Sequence, residues 1–179
     1  MKWFRKSSVE PLAVAMSGLK LGDRLIVIGC SNPLLIAGLA GKVGLTGRAC
    51  AVDADQDKAN EARVIAEREG ALIESAGAPG WVVPFAPGDF DVAVIRGVFA
   101  ETGQAAGTSI SEAHRVLRPG GRCVVMAGEV RRGLSSLVGN APADDQALTR
   151  ALSAAGFVAV RTLAQREGMT FVEGVKKNI

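Results

Sequence analysis

Apolar residues in this chain fall into two patterns: short unbroken runs, and longer stretches in which they recur at helical spacing. Leu25-Ile26-Val27-Ile28 is an apolar run rich in β-branched residues, with Gly22 before it and Gly29 after it. It predicts a buried strand. Residues 33–43 are apolar without strand punctuation and predict a helix. Pro33 suits the first helical position, Asn32 suits the N-cap, and Gly44 and Gly47 end the helix and turn the chain. Ala49-Cys50-Ala51-Val52 predicts a second strand ending at Asp53. Residues 55–69 are charged, with Ala59, Ala62, Ile65 and Ala66 at helical spacing, and predict an amphipathic helix closed by Gly70. Leu72-Ile73 starts a weak third strand, and residues 75–80 read as a loop.

Phe90-Asp91-Val92-Ala93-Val94-Ile95 predicts a fourth strand. Residues 109–117 predict a helix closed by Pro119-Gly120-Gly121, and Arg122-Cys123-Val124-Val125-Met126 a fifth strand. Residues 144–155 predict a helix stopped by Gly156, followed by strand-like pieces at 157–163 and 169–175. Strands alternating with helices imply a mainly parallel, doubly wound sheet with helices on both faces. The turn near 165–168 is too short for a parallel crossover. The last strand is therefore expected to run antiparallel to its neighbour. The pattern shows no repeat and no internal boundary, so a single domain over 1–179 is expected, opening with a helical segment at 1–20.

The 179 residues are 48% apolar and 22% charged, and mean hydropathy is +0.23. A chain of this size buries roughly 70% of its extended surface and needs neither disulfides nor metal to build a core. The balance of 21 Lys and Arg against 18 Asp and Glu gives a net charge of +3. No long basic stripe accompanies it, which argues against a dedicated nucleic-acid binder. Cys30, Cys50 and Cys123 are widely spaced, with no CxxC or Cys/His pairing, so no metal site is expected. Their odd number and the lack of a secretory signal point to reduced thiols in the cytoplasm. No apolar run reaches membrane-spanning length. Trp3 and Phe4 stand beside three cations, and packing on the domain is favoured for them over contact with a membrane surface.

In a doubly wound sheet, ligands sit beyond the carboxyl ends of the strands. The first strand ends at Gly29-Cys30-Ser31-Asn32, where the next helix offers free N–H groups. Gly29 lacks the Cβ that blocks close approach. Asp53 ends the second strand about 20 residues on, where an acid can accept from ribose hydroxyls. An Asp at that place can equally cap the helix beginning near Asp55. Neither GxGxxG nor the phosphate-loop pattern GxxxxGK[ST] is present.

One stretch is more specific: Glu112-Ala113-His114-Arg115-Val116-Leu117-Arg118-Pro119-Gly120-Gly121-Arg122. Val83-Pro84-Phe85 before Phe90-Asp91-Val92, Leu21-Gly22-Asp23-Arg24 before Leu25, and Ala155-Gly156-Phe157 accompany it. Together they resemble the class I S-adenosylmethionine (SAM)-dependent methyltransferases over almost the whole chain. The resemblance implies a seven-stranded sheet with an antiparallel last strand, SAM as cofactor and transfer of its methyl group to a small or lipophilic acceptor. It places Gly29, Cys30, Ser31 and Asn32 in the cofactor loop and Asp53 at the ribose. It places Ala54 beside the adenine, Gly80 at the adenine edge, and Arg96 and Gly97 near the amino-acid end of SAM.

The sequence departs from that family at four positions. Val27 stands where an acid is usual, Ser31 and Pro33 where glycines are, and Pro79 where an Asp often is. Each lost charged hydrogen bond costs about 1.5–3 kcal/mol, or roughly tenfold or more in affinity. Arg96 is a candidate compensation through a guanidinium–carboxylate pair. The departures also admit a second reading, a catalytically inactive methyltransferase-like binding or scaffold protein working with a protein partner or as a homo-oligomer. Another nucleotide-binding enzyme on a related sheet, such as a nicotinamide oxidoreductase, is a third.

Methyl transfer depends on alignment more than on an acid, so no catalytic residue is assigned. His114 is expected to be scaffold, and Cys30 a small core thiol without an activating base. Glu101 and Glu129 follow the fourth and fifth strands on the ligand side, and residues 131–143 offer an acceptor lining or lid.

Overall fold

The computed structural model describes residues 9–97, 103–128 and 144–178. Seven strands form one sheet in the order β3-β2-β1-β4-β5-β7-β6. They are β1 (Arg24–Ile28), β2 (Arg48–Asp53), β3 (Glu74–Gly77), β4 (Phe90–Arg96), β5 (Leu117–Ala127), β6 (Phe157–Arg166) and β7 (Met169–Lys176). The helices are α1 (Pro11–Met16), α2 (Pro33–Val43), α3 (Gln56–Arg68), α4 (Gly103–Val116) and α5 (Asp145–Ala154). β1 pairs parallel with β2 and β4, β2 with β3, and β4 with β5. β7 is antiparallel to both β5 and β6. This is the class I methyltransferase architecture that the sequence implied, with the antiparallel last strand that the short turn required.

Alternation along each strand splits the core in two. Val27, Ala51, Val94, Val124 and Phe171 pack with Ala13 of α1, Leu35 and Leu39 of α2, and Ala59 and Ala62 of α3. Ile26, Val52, Ile95, Val125 and Val172 pack with Ile110 and Ala113 of α4 and Leu148 and Leu152 of α5. The central strands are buried on both faces, which explains their unbroken apolar runs.

The helix caps follow from side-chain chemistry. Asn32 Oδ1 accepts from Leu35 N–H at 3.2 Å and Pro33 opens α2. Asp55 accepts from Asp57 N–H and Asp144 from Gln146 N–H.

Three elements differ from their sequence expectations. β3 lies at Glu74–Gly77 rather than at Leu72-Ile73. It is a four-residue edge strand of Glu, Ser, Ala and Gly, held by its ladder to β2 rather than by an apolar run. A 3₁₀ turn, Pro79–Trp81, follows it. α4 begins at Gly103, before Ser109, because its first turns carry small residues without an apolar stripe. β5 begins at Leu117 instead of after Pro119-Gly120-Gly121. Leu117 pairs with Phe90 and Arg122 with Val92, so 118–121 bulge opposite Asp91, where Arg118 forms an ion pair with the Asp91 carboxylate.

The segments that carried the resemblance are bonded to one another. Arg115 donates to the carbonyls of Phe85 and Val83 at 2.8 Å, and Glu112 accepts from Val83 N–H at 2.8 Å. Arg115 also pairs with Glu112 and holds its carboxyl below the usual range. These residues brace the approach to β4.

Candidate functional site

The strand order reverses between β1 and β4, where adjacent connections leave in opposite directions and open a crevice at the carboxyl ends. The loop after β1 enters this crevice. Gly29 has φ 104°, a left-handed conformation that glycine adopts without strain, and its N–H donates to Val52 O at 2.8 Å. The next N–H, of Cys30, donates to Asp53 Oδ2 at 2.8 Å. Asp53 Oδ1 accepts from Asp55 N–H at 3.0 Å, and Asp53 is only 5% exposed. Asp53 thus clamps the β1 loop to the end of β2, an internal role alongside any ribose contact. It takes up a loop N–H in a chain where β1 itself carries Val27, which is buried in the core.

Cys30 is buried, and burial followed by the nearby Asp53 charge pushes its thiol up to about 12. The thiol is therefore protonated and inert at neutral pH. Its backbone N–H, not its sulfur, serves the loop. Ser31 is exposed and lies against Gly97, which has φ 80°. A Cβ on Gly97 would collide with the Ser31 side chain, so this glycine lets the loops after β1 and β4 touch.

Ala54 is half-buried against the core. Ala78 N–H donates to Asp53 O at 2.7 Å, drawing the turn after β3 onto the end of β2. Gly80 has φ 62° and faces open space on the side where a Cβ would stand. Trp81, the next residue, is buried and also has positive φ, 63°. Pro79, at the place of the usual Asp, is exposed and offers no polar side chain.

Arg96 extends from β4 on the face covered by α1. Its Nη2 lies 3.1 and 3.4 Å from the two carboxylate oxygens of Glu10. Asn32 Nδ2 donates to Glu10 Oε1 at 2.8 Å. Sequence reasoning missed Glu10, which is 86 positions from Arg96. No local pattern marks it except its place before Pro11 at the start of a helix.

The structure therefore brings Gly29, Cys30, Asp53 and Ala54 together at the ends of β1 and β2, with Gly80 in the adjoining turn. It joins Ser31 and Asn32 to Gly97 and Arg96 across the switch point. His114 stands apart, packed edge-on against Phe157 at 4.9 Å near the start of β6, with burial lowering its pKa. Glu101, Glu129, residues 131–143, Trp3 and Phe4 lie outside the described residues. Among the described residues no helix is long and apolar enough to cross a membrane.

The sequence matches the family model described as a methyltransferase domain over residues 26–125, more than half of the 179 residues. No curated protein matches it. Among solved structures, a SAM-dependent methyltransferase from Aquifex aeolicus superposes with a TM-score of 0.76 at 18% identity, over 94% of this chain and 89% of that one. The 1,6-didemethyltoxoflavin-N1-methyltransferase of Burkholderia thailandensis, holding 1,6-didemethyltoxoflavin and S-adenosylhomocysteine, gives 0.64 at 19% identity over 97% and 80%. The [4+2]-cyclase SpnF gives 0.65 at 17% identity over 94% and 79%. At these identities the structures attest the fold, and the family model attests the lineage. The chain belongs to the methyltransferase domain family.

Proposed function

We propose that this protein is a SAM-dependent methyltransferase acting on a small or lipophilic acceptor. The observation that carries the reading is a pair of polar clusters at the switch point, one joining the Cys30 N–H to Asp53 and the other joining Asn32 through Glu10 to Arg96. Two features fit SAM. Gly80 leaves room beside the end of β2 for an adenine, and Arg96 Nε is buried without a hydrogen-bond partner among the described residues. Gly29, Cys30, Ser31 and Asn32 would hold the cofactor from the β1 loop, Asp53 the ribose, Ala54 and Gly80 the adenine, and Arg96 and Gly97 the amino-acid end.

SAM, when bound, supplies a methyl group on a sulfonium sulfur. The chain's task is then to align and to exclude water, so a side-chain acid or base is dispensable. The acceptor is a small molecule rather than nucleic acid. The buried, unpaired cysteines accord with a reduced cytoplasmic setting.

Asp53 favours a second reading. Both of its oxygens already accept backbone N–H groups, which leaves it less free for ribose hydroxyls. An inactive methyltransferase-like binding protein, alone as a homo-oligomer or with a protein partner, has this property. The SpnF neighbour is named for a cyclisation rather than a methyl transfer, and fold alone does not fix chemistry.

Calorimetric titration with SAM and with S-adenosylhomocysteine separates the readings. Micromolar binding that weakens at least tenfold in Asp53→Ala supports the enzyme. The absence of binding up to about 1 mM, only about −4 kcal/mol, supports the scaffold.

A further inference from the structure

Arg96 and Glu10 form an ion pair in an unusual way. A guanidinium and a carboxylate pair best as a fork, with two parallel N–H···O bonds. Here one nitrogen, Nη2, is shared between both Glu10 oxygens, and the bond to Oε2 is long. Arg96 Nε stays buried with no hydrogen-bond partner among the described residues. Glu10 meanwhile sits at φ 48° and ψ 73°, a left-handed conformation that strains a residue with a side chain. Its side chain is mostly covered, and so is that of Arg96.

A cavity of about 180 Å³ opens at this pair, beneath α1 and against the start of β7. Arg96, Glu10 and the turn residue Glu167 give it polar walls, and Leu12, Met169 and Phe171 give it apolar ones. A buried donor without a partner, a strained residue and a cavity thus coincide at the carboxyl end of β4.

We propose that Arg96 is a carboxylate-binding site for which Glu10 is the internal occupant. A ligand carboxylate takes the fork formed by Nε and Nη2 of Arg96, and Glu10 withdraws because it loses the nitrogen it holds and faces a like charge in a covered site. Asn32 and the start of α1, both tied to Glu10, then respond to ligand binding. The inference deepens the methyltransferase reading and rests on it. The carboxylate has two possible sources, the amino-acid end of the cofactor or a small acidic acceptor with an apolar body.

The test compares S-adenosylhomocysteine, which carries the carboxylate, with 5′-methylthioadenosine, which lacks it, on the full chain. The Nε–H resonance of Arg96, assigned by its loss in Arg96→Lys, is followed alongside affinity. A cofactor carboxylate predicts three results. Glu10→Gln tightens S-adenosylhomocysteine at least fivefold, Arg96→Gln weakens it at least tenfold, and 5′-methylthioadenosine is unmoved by either. An acceptor carboxylate predicts that neither variant separates the two nucleosides. Millimolar benzoate, added to protein saturated with 5′-methylthioadenosine, then shifts the Arg96 resonance, and at lower concentration in Glu10→Gln.

The proposal is overturned if neither S-adenosylhomocysteine nor benzoate moves that resonance. It is also overturned if Glu10→Gln weakens both nucleosides alike at an unchanged melting temperature. Failure of both nucleosides to bind at all refutes the cofactor reading instead, while benzoate titrated into the free protein still tests Arg96.

Discussion

At the amino ends of the strands, cations and carboxylates are matched. Asp91 accepts from the backbone N–H, Nε and Nη2 of Arg24 and pairs with Arg118. Arg48 spans Glu74 and Asp89, each at 2.8 Å. At the carboxyl ends the matching is incomplete: Arg96 is engaged through one nitrogen, and Glu10 is held in strained backbone. Cavity size runs the other way. A cleft of about 380 Å³ lies at the amino ends, lined by Gly44, Leu45, Leu72 and Ile73, and is the larger of the two described. Satisfied polar groups hold a fold together, whereas a buried donor without a partner calls for an explanation, which the proposal for Arg96 supplies.

The sharpest way to break this comparison is Asp53→Ala. It leaves the N–H groups of Cys30 and Asp55 without their acceptor. Each such buried loss costs about 1–3 kcal/mol. Urea unfolding is expected to show a loss of about 2–4 kcal/mol, and calorimetry at least a tenfold weaker grip on SAM.

Asp91→Ala should affect stability only. It removes charged hydrogen bonds at the opposite end, for about 2 kcal/mol, and leaves S-adenosylhomocysteine affinity unchanged. Acid titration sharpens the same point. Burial pushes the Asp91 carboxyl up, but hydrogen bonds from Arg24 and Arg118 outweigh it and hold the group at about 2, below its ordinary 3.8. A depressed carboxyl stabilises the fold above its unfolded value, and that contribution is lost as pH falls from 3.8 toward 2. Melting temperature should drop across this window, and drop less in Asp91→Ala.

Gly80→Val forces a β-branched residue into positive φ, for about 1–2 kcal/mol. On the proposed function it should also fill the space assigned to adenine, so 5′-methylthioadenosine weakens along with S-adenosylhomocysteine. The smallest effect is expected from Leu45→Ser with Leu72→Ser in the amino-end cleft. Both side chains are largely exposed, so stability should stay within about 0.5 kcal/mol and ligand affinity should not change.

The strands buried on both faces were legible in the sequence because apolar runs such as Leu25–Ile28 and Val92–Ile95 have no other use. α2, α3 and α5 were legible from their caps and spacing. β3 was not, because an edge strand of Glu, Ser, Ala and Gly is specified by its neighbour's backbone. The bulge at 118–121 was read as a helix stop, since Pro and Gly punctuate both. At the site, Gly29 and Asp53 were visible from their places after strands. The turning of Asp53 inward toward Cys30 was not, because it depends on which partner a carboxylate finds in three dimensions. Glu10 escaped for the same reason.

The rim formed by β6 has a consequence for how the molecule meets others of its kind. Its ladder to β7 breaks register between Val158 and Arg161 and again between Thr162 and Ala164. Ala159 turns to φ 51°, and the Arg161 side chain stands 71% exposed. An outer strand twisted and charged in this way offers no straight row of donors and acceptors for another chain to copy. These features disfavour growth of the sheet into a filament at its last strand. Deleting Ala159 together with Arg161→Val should reopen it, with light scattering rising as copies add edge to edge.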